Sequence, residues 1–200
     1  MAMRIKSHWF KPERQKTPKE IAGAVAFVIW RIGDIALKNT RKADFDIAVG
    51  PQYFAFLNEF LVFLIQVADR IAYRQLLPEV RVEFTGTLAN RVAETMAENR
   101  SRLLGGEFAE HKQQFIDALN QCAGEYAEFG YDDNGPDFAF MRYLGYRMGE
   151  IMDAKDAPWV IDQMISIEAP EAVKMVEKTM RDLFETEPRK PRSRKSVSGD

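Results

Sequence analysis

Apolar residues run almost unbroken through one stretch of the chain, PQYFAFLNEFLVFLIQVADRIAYRQLLP, from Pro51 to Pro78. Between those prolines there is no glycine and no further proline. Read as a helix, a segment of that length reaches about 39 Å at 1.5 Å per residue. Pro51 suits a first helical turn because it has no N–H to leave unsatisfied, and Pro78 ends the helix just before itself. From Tyr53 to Ile65 apolar side chains point nearly all round the axis, and a helix apolar on every face is buried on every face. A membrane span needs about 18 or more apolar residues; Asn58 and Glu59 interrupt this run, and Gln66, Asp69 and Arg70 close it. One polar line crosses the helix: Glu59, Gln66, Asp69 or Arg70, and Tyr73 recur at helical steps and read as a single face. That face either meets solvent, with ion pairs such as Asp69–Tyr73 and Arg70–Glu59, or lines a pocket inside a bundle.

The remaining periodicities are also helical. Thr17-Pro18-Lys19-Glu20 is a capping-box start, followed by Ile21, Val25, Val28, Ile32, Ile35 and Ala36 at helical spacing, with Phe27 and Trp30 widening the apolar face. Residues 40–50 are a connection in which Phe45, Ile47 and Val49 alternate with Asp44, Asp46 and Ala48 as in a short strand, but without a second strand to pair with they read as an extended loop packed on the body. After Pro78, Val82, Leu88, Val92, Met96 and Leu103 form a stripe that Gly105-Gly106 stops, and Gly86 reads as a point of close helix packing. Phe108, Phe115, Leu119, Cys122 and Tyr126 form the next stripe, with His111 at its edge. A helix from Pro136 to Met152 carries Phe138, Met141, Leu144, Met148 and Met152 on one side, and Gly145 and Gly149 four apart for a close backbone approach. Asp156-Ala157-Pro158 and Ala169-Pro170-Glu171 each read as a helix start. These elements predict an all-α, single-domain bundle of six or seven helices around a central buried helix at about 51–77. Its boundaries are a basic aromatic arm at 1–16, a helical domain at 17–186 and a basic tail at 187–200.

Composition sharpens the outline. A hydrophobic fraction of 46% in 200 residues supports one sizeable core. The net charge of −2 conceals a partition: residues 1–19 carry six Lys/Arg and one Glu, and residues 187–200 carry five Lys/Arg and two acids. The body between them is therefore strongly acidic and would repel nucleic acid, and no helix-turn-helix or RNA-binding signature is present. The single cysteine, Cys122, excludes an intrachain disulfide and suits a reducing compartment, so a cytoplasmic location is expected. The apolar run at 21–30 has the size of a signal-peptide core. It is flanked by Glu13, Glu20, Arg31 and Asp34, however, and no small-x-small cleavage site follows it.

Candidate chemistry is sparse. Two His and one Cys do not make a Cys/His zinc site. The cluster Asp132, Asp133, Asn134, Asp137 breaks the EF-hand order at Pro136 and reads as turn and cap chemistry. His111 and Cys122, three helical turns apart, do not form a catalytic pair. The Glu-x-x-His motif of metal-carboxylate bundles, the P-loop, GxGxxG and GxSxG are all absent. No cofactor and no catalytic residue is implied, and no motif identifies a family. Two low-resolution binding surfaces emerge: the Glu59, Gln66, Asp69, Arg70, Tyr73 line and the Arg142, Tyr146 face, beside Tyr143 and Arg147. Trp9, Phe10, Gly145 and Gly149 are the interface candidates. The pattern points first to a protein-interaction or structural module acting as a homo-oligomer. The alternative is a helical small-molecule binder with its pocket on the central polar line, and more remotely a metal-carboxylate enzyme.

Overall fold

The computed structural model describes residues 16–185; Trp9, Phe10 and the 187–200 tail lie outside them. The chain folds as an all-α bundle: α1 Pro18–Lys42, α2 Pro51–Gln75, α3 Pro78–Leu104, α4 Phe108–Ala127, α5 Phe138–Ile151, α6 Ala157–Gln163 and α7 Ala169–Phe184. Two-residue strands, β1 Tyr131–Asp132 and β2 Gly135–Pro136, pair antiparallel between α4 and α5. Among the described residues no helix is long and apolar enough to cross a membrane.

The expected start of α1 is realised in detail. Thr17 accepts a bond from the Glu20 N–H at 3.2 Å, and the Glu20 carboxylate accepts one from the Thr17 N–H at 2.8 Å, which satisfies two otherwise orphaned donors. The turn into α2 needs Gly50, whose φ of 131° few other residues adopt. The loop before it packs Ile47 into the core. Arg41 donates to the Ile47 carbonyl, and Gln52 accepts from the Ala48 N–H at 2.8 Å while donating to the Ile151 carbonyl at 3.1 Å.

α2 is the axis. Phe56, Leu57, Phe60, Leu61, Phe63, Leu64, Val67 and Ala68 have no exposed surface, because α1, α3, α4, α5 and α7 all pack against it. The ring around it runs α4, α3, α1, α7, then α6 and α5. An aromatic chain closes the ring between α5 and α4: Tyr126 lies 4.7 Å from Phe140 and 4.9 Å from Tyr143, centroid to centroid, and Phe140 lies 5.7 Å from Phe63. Offset and edge contacts of this kind add to plain area burial.

Four expectations change. Val82 and Leu103 belong to the surface of α3; the buried positions are Phe84, Leu88, Ala89, Val92, Ala93, Met96 and Ala97. Phe27, Ile35 and Phe138 likewise point outward; Phe138 lies about 120° around α5 from Leu144 at 100° per residue. Gly86 faces open space rather than a neighbouring helix. Finally, α6 and α7 are not separated: the π-helical turn Met164–Glu168 joins them without a break. Pro170 supplies the reason, since it has no N–H for the Ser166 carbonyl and its ring crowds an ordinary α turn, which a wider turn relieves.

Candidate functional site

Glu59 is the one carboxylate of α2 sunk in the bundle, 8% exposed. Arg147 of α5 meets it with both arms of its guanidinium, Nε to Oε2 at 2.9 Å and Nη2 to Oε1 at 2.8 Å. The pair joins two surfaces that read separately in the sequence, the polar line of α2 and the Arg/Tyr face of α5. Beside it stand Cys122 and Tyr126 of α4 and Tyr143 of α5, whose hydroxyl donates to Glu125 at 2.9 Å. Burial pushes the Cys122 thiol up, and the Glu59 charge adds to that. Burial also raises the Tyr126 and Tyr143 phenols, with the Glu125 hydrogen bond next for Tyr143. The Cys122 thiol and the Tyr126 and Tyr143 phenols are thus all shifted toward their protonated forms. A thiol kept protonated is a packing group rather than a nucleophile.

The other polar residues of α2 do not form one wall with Glu59, and the ion pairs read from the sequence are replaced by others. Asp69 takes Arg81 of α3 in a two-pronged pair, with Nε–Oδ1 at 2.9 Å, and accepts from the Thr85 hydroxyl at 2.7 Å. Arg70 donates to the carbonyls of Tyr126, Ala127 and Phe129 at 2.8, 3.0 and 3.2 Å, capping the end of α4. Tyr73 is 65% exposed beneath the Arg81 guanidinium, and Gln66 is half-buried. At 100° per residue these positions spread over about 100° of the helix, wide enough to meet α5, α4 and α3 in turn.

A cleft of about 460 Å³ opens at the end of α2, walled by Ile71, Arg74 and Gln75, the hairpin residues Tyr131 to Asp133, and Glu177 and Arg181 of α7. Its charges are largely engaged with one another: Arg74 pairs with Asp133, and the Tyr131 hydroxyl donates to Glu177 at 3.2 Å. Burial first and the Glu177 carboxylate second hold the Tyr131 phenol well above its ordinary range. The sequence marked the hairpin acids only as turn and cap groups, and they do fill that role. Asp132 accepts the Asn134 N–H, and Asp137 accepts the N–H groups of Gly130 and Phe140. Among the described residues no group of His, Cys, Asp and Glu side chains is arranged to hold a metal ion.

Arg142 and Tyr146 stand on the outer ridge of α5, with Tyr146 55% exposed. Glu150 continues the ridge four residues on and is also exposed. Neither Arg142 nor Glu150 bonds another described residue. Glu150 carried no signal in the sequence, because a lone exposed glutamate is ordinary until its ridge neighbours are known. Gly145 and Gly149 sit beside this ridge, but the close approach they allow is made by α6 and the π turn after it: a Cβ on Gly145 would stand 3.2 Å from Ile161 and Ile165, and one on Gly149 3.3 Å from Ile161. Trp9 and Phe10 lie outside the described residues. Compared with models of known families, with curated proteins and with solved structures, the chain matches none.

Proposed function

We propose that this protein is an interaction module that self-associates, two copies pairing α5 against α5 in antiparallel fashion. The observation that carries the reading is the self-complementary ridge Arg142–Tyr146–Glu150, whose cation, aromatic and anion are spaced by four and whose side chains have no partner among the described residues. A two-fold axis beside Tyr146 sets Arg142 of each copy against Glu150 of the other and stacks the two tyrosines. Such a contact uses one surface patch on both copies, as two-fold interfaces do. Tyr and Arg are also the residue types that most often anchor interfaces. The underside of the ridge is fixed by the Glu59–Arg147 pair and by α6 packed on Gly145 and Gly149, so the ridge is presented on a rigid support. A single helix ridge is a small interface, and the association is accordingly concentration-dependent.

Sedimentation velocity over a wide concentration range tests this. Arg142→Glu and Glu150→Arg each place like charges opposite one another and are expected to weaken the dimer at least tenfold. The doubly reversed R142E/E150R restores opposite charges and is expected to recover the parent's association. A monomeric parent at high concentration, or a double variant as weak as the singles, refutes the reading.

A further inference from the structure

The corner between α2 and α3 carries the most exposed run of large apolar side chains next to a helix junction. Tyr73 is 65% exposed, Leu77 71% and Val82 73%. The junction is tight, with α2 ending at Gln75 and α3 starting at Pro78, so these side chains fall within ten residues. The start of α1 lies at the same corner, because Lys19 reaches Glu83 at 3.3 Å. Two exposed acids stand at the same junction in the chain, Glu79 two residues after Leu77 and Glu83 next to Val82.

We infer that this corner is the docking site of the chain's own first fifteen residues, seated through Trp9 and Phe10. Three observations select that occupant. The segment leaves the described structure at Lys16, one helical turn before the residue that pairs with Glu83. Lys16 lies six positions after Phe10, a reach of up to about 20 Å, which spans the width of two neighbouring helices. The segment carries Arg4, Lys6, Lys11 and Arg14 against one acid, Glu13, a charge that complements Glu79 and Glu83. The Arg81 guanidinium already covers one face of the Tyr73 ring, 4.9 Å from its centroid, so the seat lies on Leu77, Val82 and the other face of that ring. This site is separate from the α5 ridge and does not depend on dimer formation.

The test is fluorine NMR of the full chain labelled with 5-fluorotryptophan, which leaves Trp30 and Trp159 in place as internal references. Trp9→Phe assigns the Trp9 resonance, and a peptide of residues 1–15 gives its solvent-exposed position and its H₂O/D₂O isotope shift. In the parent the Trp9 signal is expected to be displaced from the peptide position with a reduced isotope shift, unchanged on tenfold dilution. Leu77→Glu and, separately, Val82→Glu are expected to return it to the peptide position while the Trp30 and Trp159 signals stay. Both positions are surface sites, and unchanged far-UV circular dichroism checks the fold of each variant. A parent Trp9 signal already at the peptide position overturns the assignment. So does a displacement that survives both substitutions, or one lost on dilution, which would move the site to a second copy.

Discussion

Replacing Arg147 by methionine isolates the electrostatic tie between α2 and α5, because methionine keeps most of the aliphatic stem that packs beside Cys122 and Tyr143. The Glu59 side chain is 9% exposed and that of Arg147 31%. Removing one partner of a fully buried pair costs about 3–5 kcal/mol, chiefly because the other charge is left desolvated and alone. Water reaches Arg147 from one side, which lowers the cost to about 2–3 kcal/mol. For a chain of this size that corresponds to a fall of roughly 5–10 °C in Tm and a drop of about 1 M in the urea midpoint. The assay is urea unfolding followed by circular dichroism, with Glu59→Leu and the double variant E59L/R147M run alongside. If the cost arises from an orphaned charge, the double variant returns to within about 1 kcal/mol of the parent. A loss below about 0.5 kcal/mol for R147M, or a double variant that loses the sum of the two singles, refutes this account of the pair.

Four further outcomes are expected. Gly86→Ala meets no neighbour and gains helix propensity, so it is expected to stabilise by about 0.5–1 kcal/mol. Gly145→Ala, whose new Cβ would stand 3.2 Å from Ile161 and Ile165, is expected to lower the urea midpoint instead. Arg70→Ala strips three carbonyls at the end of α4 of a charged donor and is expected to cost about 1.5–3 kcal/mol, with hydrogen exchange accelerating first at residues 126–130. Glu168 is buried with two neutral amide donors, Gln163 at 3.0 Å and Asn39 at 3.5 Å, and burial raises its pKa. An acid whose folded pKa is raised contributes stability that is intact at low pH and lost as pH rises through the folded value. Glu168→Gln is therefore expected to unfold at higher urea than the parent at pH 7. That advantage should shrink as pH falls through the carboxylate range, and a pH-independent difference would refute the assignment.

Much of the architecture is legible in the sequence, because helix starts and stops are local. Thr17 with Glu20, Pro51, Pro78 and Gly105 act within one turn of chain, and each stands at or beside a boundary in the structure. The burial of the first half of α2 is legible for a similar reason, since a stretch apolar nearly all round, Tyr53 to Ile65, has only one environment. What eluded the pattern depends on neighbours. Val82 and Phe138 have the hydropathy of core residues, but the helices that would cover them pack elsewhere. Gly86 and Gly145 look alike as letters and differ only in whether Ile161 and Ile165 stand opposite. The candidate site suffered most. Helical steps grouped Glu59 with Asp69 and Arg70, while the partners that settle their roles, Arg147, Arg81 and the carbonyls after Tyr126, lie 12 to 88 residues away. The fusion of α6 and α7 was hidden because proline is a helix-start signal in sequence and, with a π turn before it, also a tolerated interior residue.

The central position of α2 has a consequence for how the chain reaches this state. It is made after α1 and before the rest of the ring, and its Tyr53–Ile65 half emerges apolar on nearly every side. α5 and α7, which close the ring, follow up to about a hundred residues later. At a synthesis rate of about 5–20 residues per second, that interval is on the order of 5–20 s. During it, the Phe56–Ile65 surface is a ready substrate for holdase chaperones and for aggregation, and the rate at which α7 docks sets how long that exposure lasts.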